Sequence, residues 1–276
     1  MNKKFTIESH SSFWNLDLME LFHYRDLFIT LAWRDFKVRY AQTFVGLLWA
    51  FIQPLFTIAI QYLLFVRFLN VNNNHNAALV SISIGTCAWT FFSYVVTNSG
   101  NSIISSQQMV KKIYFPRLAL PISKAFVGLI DLGLALLILL VLMVVFKVIP
   151  TLHIVFFPLF ILLDVIASLG VGIWLSALTI RYRDFQYVVP FLIQIGFYLT
   201  PIGYPVETVL SKMPAWAVHI YYLNPLVGII QGLRWSVFGG SPPNMHAYIS
   251  MVVVLLIFVG SIYYFKSVER KIADIV

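Results

Sequence analysis

The chain has 276 residues, of which 60% are hydrophobic and only 11% are charged, with a mean hydropathy of +0.85. A soluble domain of this size uses about 25% charged residues to cover its surface, so most of this surface faces lipid. The net charge of +8 does not signal nucleic acid, because the Lys and Arg residues sit in short clusters between apolar segments rather than in one patch. The single cysteine, Cys87, excludes an internal disulfide and reads as a buried thiol.

From the N-terminus, Lys3 and Lys4 are not followed by an apolar run within a signal peptide's length, and no cleavable signal is expected. Residues 17–40 read as an amphipathic helix. Leu18, Leu21, Phe22, Arg25, Phe28, Ile29 and Ala32 recur at helical spacing, and Trp33 and Tyr40 flank basic residues. Such a helix either lies in the membrane interface, with its aromatics at the headgroups, or caps the bundle from the cytoplasm. The chain therefore divides into a cytoplasmic N-terminal segment, 1–43, and one membrane domain, 44–276.

A helix needs about 20 apolar residues to cross a ~30 Å hydrocarbon core. Spans are expected over approximately 44–66, 79–97, 118–146, 154–180, 187–203 and 248–265, the fifth being short and interrupted by Pro201, Gly203 and Pro205. The fold class is all-α and polytopic, with six transmembrane helices. Between spans five and six, residues 205–240 hold two moderately apolar pieces, 206–222 and 225–238, broken by Pro214, Asn224 and Pro225. Each is too short to span. They read as re-entrant helices beside a cavity, the one setting in which irregular backbone is tolerated at membrane depth, or as a folded outer loop.

Charge sets the orientation. Lys3, Lys4, Arg25, Arg34, Lys37, Arg39, Lys111, Lys112, Arg117, Lys124, Arg181, Arg183, Lys266, Arg270 and Lys271 fall on one side of this topology. Only Arg67, Lys147, Lys212 and Arg234 fall on the other. The basic side is cytoplasmic, the asymmetry requires an even number of spans, and both termini are expected inside.

Two acids interrupt the spans, Asp131 in the third and Asp164 in the fourth. An intramembrane carboxyl is a functional candidate, as a proton relay or substrate contact. The alternative is an inward group hydrogen-bonded to Ser, Thr, Tyr or Lys on another helix, which is favoured because no intramembrane Arg or His matches either acid. No P-loop, H-E-x-x-H or Cys/His metal spacing occurs. Gly170-Val171-Gly172 lies inside a span and reads as helix packing.

The run Trp33-Arg-Asp-Phe-Lys-Val-Arg-Tyr40, continued by Thr43, Gly46, Trp49 and Pro54, carries the pattern R-D-x-K-x-R-Y-x-x-T-x-x-G-x-x-W. It is followed in order by Lys112-Ile-Tyr-Phe-Pro-Arg117 with Pro121, Arg183-Asp184, Pro201, Asn224-Pro225, Arg234 and the tail Glu269-Arg-Lys-Ile-Ala-Asp274. In this ordered set the chain resembles the permease subunit of ABC type-2 polysaccharide exporters, which move lipid-linked O-antigen, capsule or teichoic acid. The resemblance implies a homodimer joined to two copies of a separate ABC ATPase, in the bacterial inner membrane. This chain would be no enzyme and bind no cofactor or metal itself, with ATP and Mg held by the partner, and the cargo would be a lipid-linked glycan.

It also implies that segment 100–117 docks on the ATPase, with Lys111, Lys112, Tyr114, Phe115 and Arg117 as coupling candidates. The alternative is an ordinary basic inner loop. Arg34, Lys37 and Arg39, with Asp35 orienting an arginine and Tyr40 beside them, are candidates for a substrate pyrophosphate, since Arg forks match phosphate geometry. Anchoring to anionic lipid is the other reading. A channel for sugar would be lined by aromatics, whose faces stack on C–H surfaces without demanding one sequence. The candidates are Trp49, Phe56, Tyr62, Trp89, Phe92, Tyr94, Phe197 and Tyr198, each of which could equally be packing or facing lipid. A drug or small-lipid exporter of the same fold is the alternative. A membrane-embedded transferase lacks the clustered donors it would need, and a proton-driven transporter lacks a convincing relay.

Overall fold

The computed structural model describes residues 24–40, 46–70, 75–113 and 115–275, with Leu47 and residues 270–275 as backbone only. The described chain is helical throughout, with no strand among the described residues. We number the helices in chain order. They are α1 (Arg25–Tyr40), α2 (Trp49–Tyr62), α3 (His75–Gly100), α4 (Ser102–Ser105), α5 (Gln107–Lys112), α6 (Ala119–Val145) and α7 (Phe157–Arg181). Then follow α8 (Phe185–Leu199), α9 (Val206–Leu210), α10 (Ala215–Tyr221), α11 (Pro225–Phe238) and α12 (Ala247–Ile275).

Five segments are long and apolar enough to cross a membrane: Trp49–Phe68, His75–Gly100, Ala119–Val145, Leu152–Arg181 and Ala247–Glu269. The chain is thus a multi-pass membrane protein. The expected fifth span, α8, has 15 residues, about 22 Å at ~1.5 Å per residue, shorter than the hydrocarbon core. It begins after Arg183-Asp184 and stops at Thr200 before Pro201. The first span runs on past residue 66 as a turn of π-helix over Leu63–Phe68. The N-terminal part of the predicted amphipathic helix, before Tyr24, lies outside the described residues, as does Thr43.

The bundle is organised around α3, much the most buried of the five. Lipid gives no hydrophobic drive for helices to associate, so contact depends on small residues that admit a neighbour. A Cβ on Gly172 of α7 would stand 2.8 Å from the Ser99 Cβ of α3, and one on Gly170 would stand 3.0 Å from the Phe258 Cα of α12. The Gly170-Val171-Gly172 step therefore seats α7 between α3 and α12, as its sequence suggests. A Cβ on Gly85 would stand 2.8 Å from the Ile202 carbonyl oxygen, which brings the chain leaving α8 onto α3. The large core that results joins α3, α6, α7, α8, α11 and α12 through Phe91, Phe92, Leu132, Phe160, Leu226, Ile229 and Ile230.

The two ends of the bundle differ. At one end, Phe28 and Leu31 of α1 pack with Phe115, Leu118 and Ala119 before and in α6, Ile173 and Ala177 of α7, and Phe265 and Val268 of α12. At the other end lie α9, α10 and α11. The predicted piece 206–222 is two helices rather than one, α9 and α10, separated at Pro214. Proline lacks the N–H that would continue the helix and biases the residue before it out of the α region. α11 starts on Asn224, whose side chain accepts from the Leu226 N–H at 3.1 Å and donates to Thr200 Oγ1 at 3.0 Å, with Pro225 in the first helical position. Leu226, Ile229, Ile230, Leu233 and Val237 of α11 are all buried. α11 is therefore a core element and not a loop, although its 14 residues do not reach the length of a span.

Candidate functional site: an anchored helix and a basic corner

The motif run lies on α1, and its side chains are distributed by helical spacing. Tyr24, Leu27, Phe28 and Leu31 sit on the packed side, which continues through Asp35 to Arg39 and Tyr40. Ile29 and Trp33 are exposed on the other side. Of the residues read as the apolar stripe, Phe28 is packed on the bundle and Ile29 is exposed, and the face that α1 turns to the bundle is held by charge partners as well as by apolar contact.

Those partners lie on α6. Asp35 Oδ2 receives Lys124 Nζ at 2.5 Å, while Asp35 Oδ1 receives Arg34 through Nε at 3.1 Å and Nη2 at 2.9 Å. Seven residues further along α6, Asp131 Oδ2 lies 2.7 Å from Arg39 Nη1, and Tyr40 donates its hydroxyl to Asp131 Oδ1. Arg39 also stacks over the Tyr94 ring of α3 at 4.3 Å. Burial, then the Asp131 contact, pushes the Tyr40 phenol well above its ordinary pKa, so it stays a donor at any physiological pH. α1 is therefore pinned at two points by complementary charges: α1 supplies minus then plus, α6 supplies plus then minus.

This changes the picture of both acids. Asp131 has charged and hydroxyl partners, supplied by a helix outside the spans, where a search for matching groups within the spans does not look. Asp164 is the reverse. It is fully buried, and neither carboxyl oxygen has a hydrogen-bond partner among the described residues. Ser168 Oγ, one turn on, donates to the Asp164 backbone carbonyl at 2.7 Å and not to the carboxyl. The expected hydrogen-bonded group is therefore found at Asp131 and not at Asp164.

Of the proposed phosphate ligands, Arg34 and Arg39 already face carboxylates. Lys37 is exposed, with its ammonium 5.3 Å from the Trp33 ring centre. Arg34 is exposed as well, so a phosphate at α1 would find Lys37 and Arg34 open and would compete with Asp35 and Asp131 for the two arginines.

The coupling candidates sit beside this anchor. Lys111 and Lys112 are exposed at the end of α5, and Tyr114 lies outside the described residues. Phe115 is turned inward onto Leu118, Ala119 and Phe265. Arg117 is held by the last described turns of α12, its backbone N–H pointing to Glu269 Oε1 at 3.3 Å and its Nη1 to the Glu269 carbonyl at 3.5 Å. Among the described residues, Lys111, Lys112 and Ile113 all face outward where α5 ends, the last 60% exposed.

The channel candidates separate into two groups. Trp49, Phe56 and Tyr198 are exposed. Trp89 and Phe92 are in the core, with Trp89 edge-on to Phe197 and in contact with Phe92. Tyr94 lies under Arg39, and Tyr62 is within 3.4 Å of His75 Nδ1. Sequence reasoning missed Lys124 as a partner of Asp35, although its spacing of seven from Asp131 places both on one face of α6.

The described residues thus form a bundle of membrane-length helices, with α1 anchored on it by ion pairs and an exposed basic corner beside that anchor. Residues 26–238 match the ABC-2 type transporter family, and the chain belongs to it. It is similar to proteins named O-antigen export system permease protein RfbA. The relative from Myxococcus xanthus is 29% identical over 258 residues, which is 92% of this chain and 97% of the relative. One from Klebsiella pneumoniae is 29% identical over 252 residues, covering 91% and 95%, and a second from that organism is 28% identical over 255 residues.

Proposed function

We propose that this protein is the transmembrane subunit of an ATP-driven exporter that carries a lipid-linked, O-antigen-like polysaccharide from the cytoplasmic face across the bacterial inner membrane. The observation that carries this reading is similarity to O-antigen export permeases over more than nine-tenths of both chains, in a protein of the ABC-2 family. The working unit is a homodimer bound to two copies of an ABC ATPase that hydrolyses ATP with Mg. Each subunit crosses six times, α8 included, with both termini inside. α9–α11 form the outer gate, and the segment that holds Lys111, Lys112, Ile113, Tyr114, Phe115 and Arg117 meets the ATPase. Lys37, Arg34 and Arg39 attract the pyrophosphate headgroup, and exposed aromatics such as Trp49, Phe56 and Tyr198 face the polymer.

The test is deletion of the gene in its host and complementation with the wild type. Deletion is expected to remove surface polysaccharide and accumulate lipid-linked polymer inside. Lys111→Glu with Lys112→Glu is expected to lose the co-purifying ATPase. Normal surface polysaccharide in the deletion strain, with loss of resistance to an apolar toxicant instead, would establish a drug or small-lipid exporter.

A further inference from the structure

At the end of the bundle remote from α1, a cleft of about 350 Å³ opens between the start of α3 and the α9–α11 segment. That volume suits a ligand of one or two rings. Glu207 of α9, Gln231, Arg234 and Trp235 of α11, and Ser81 of α3 supply its polar and aromatic lining. None of these belongs to the charge anchor or the basic corner, and Glu207, Gln231 and Trp235 are absent from the motif pattern.

The chemistry of the lining selects a ligand class. Arg234 is a structural clamp: Nη2 donates to the Ile202 carbonyl at 2.7 Å, Nη1 to Tyr204 at 2.9 Å and Nε to Ser81 at 3.4 Å. Glu207 is exposed and forms no ion pair among the described residues, so its carboxylate is an available acceptor. Gln231 uses its Oε1 to receive the Tyr222 hydroxyl at 3.1 Å, which fixes the amide and leaves its NH₂ to donate. Trp235 is half-exposed and held in place, its ring 4.7 Å from His153 and 5.5 Å from Phe156. A fixed indole beside one acceptor and one donor suits a ring with an apolar C–H face and hydroxyl edges. The Glu207 carboxylate offsets the Arg234 charge and repels an anion, so phosphate or an acidic sugar is disfavoured.

The cleft is framed by constrained backbone. α11 ends at Phe238, and the chain turns away through Gly239 and Gly240 at φ +71° and +85°, a conformation that L side chains rarely adopt. Pro205, Pro242 and Pro243, whose rings fix φ, are part of the lining, and Thr151 N–H donates to the Val237 carbonyl at 3.0 Å. A site built in advance loses little on ordering.

We infer that this cleft binds a neutral sugar residue, stacked on Trp235 and hydrogen-bonded by Glu207 and Gln231, as a subsite for the polymer leaving on the outer face. The assignment to the leaving polymer rests on the export reading above; the binding itself does not. The test uses the full-length protein in nanodiscs and the fluorescence difference between wild type and Trp235→Phe. The probes are mannotetraose and chitotetraose, with inorganic phosphate and a tetragalacturonate as anionic controls. Saturable quenching by a neutral tetrasaccharide is expected, weakened about tenfold or more in Glu207→Gln and in Gln231→Ala with the thermal midpoint unchanged. Quenching by the anionic probes in preference, no saturable quenching by either neutral probe, or equal affinity in both variants overturns the inference. Surface polysaccharide in the deletion strain decides the export reading separately. Binding without an export defect would leave a sugar site in a different kind of transporter.

Discussion

At the residue scale, Arg39 and Asp131 form a pair in which each is one-third exposed or less. Removing one member leaves the other partly desolvated and uncompensated. Asp131→Asn is expected to lower stability by about 2 kcal/mol, read as the thermal midpoint in detergent. Arg39→Gln added to it should cost less than the sum of the two single changes, because the pair is already broken. Strict additivity would mean that the two side chains do not interact. Arg39→Lys should not rescue, since the stack on Tyr94 depends on the planar guanidinium. Lys37 faces outward on this helix, with no carboxylate against it among the described residues. Lys37→Glu is expected to reduce polymer export severalfold at unchanged protein level; full export would remove Lys37 from headgroup capture.

Asp164 makes the opposite prediction. A buried carboxyl without partners costs stability, and an apolar side chain of similar size removes that cost. Asp164→Val is expected to raise stability by roughly 1 kcal/mol. If export falls while the midpoint rises, the carboxyl is kept for function. If the midpoint falls, it has a structural partner that appears only in the assembled exporter. The presence of both acids was legible in the sequence. Their different roles were not, because Tyr40 and Arg39 reach Asp131 across 91 and 92 positions of chain.

At the scale of elements, the helices followed from hydropathy and length, and their mutual seating from glycine and serine. Gly172 meets Ser99 of α3, whereas Gly133 of α6 has nothing within 4 Å of its added Cβ. Gly172→Val is expected to abolish accumulation of folded protein. Gly133→Ala should be neutral or stabilise by roughly 0.5–1 kcal/mol through helix propensity alone. Yield and midpoint from size-exclusion and thermal unfolding distinguish them, and equal effects would mean that α3–α7 packing is looser than drawn. In sequence the two glycines are equivalent, each inside an apolar helix. Only the approach of a second helix separates them.

The same limit explains the segment after α8. Pro214 and Asn224-Pro225 announce the breaks, and in the structure α9 ends at Leu210, α10 starts at Ala215 directly after Pro214, and α11 starts at Pro225. That α11 is buried while α10 has no buried residue was not readable, since both pieces are similarly apolar. Burial is conferred by Phe160 against Gly232 and by Ser250 against the carbonyls of Tyr222 and Asn224.

For the whole molecule, the six-span arrangement makes a topological prediction at α8, the shortest of the crossing candidates. Tyr187 and Tyr198 lie near its two ends and are 82% and 71% exposed. A membrane-impermeant thiol reagent on intact cells should label Lys212→Cys and Tyr198→Cys, but label Tyr187→Cys and Ile113→Cys only after permeabilisation. The native Cys87 is buried and provides a quiet background. Labelling of Tyr187→Cys and Tyr198→Cys from the same side would make α8 a hairpin element and the number of crossings odd.

Composition, span lengths and the grouping of basic residues are properties of contiguous chain, governed by local partition between water and lipid. For that reason the membrane class, the all-helical fold, most helix boundaries and the family resemblance were determined by the sequence alone. The anchoring of α1 through Asp35–Lys124 and Arg39–Asp131, the clamp of Arg234 on three carbonyls, the inward turn of Phe115 and the cleft at Glu207 and Trp235 were decided only by the tertiary structure. The anchor, the clamp's bonds to Ile202, Tyr204 and Ser81, and the Phe115 contacts with α12 all join residues 30 to 153 positions apart. Which of them meet depends on the rotation of one helix against the next. Close packing of small residues fixes that rotation, and hydropathy does not record it.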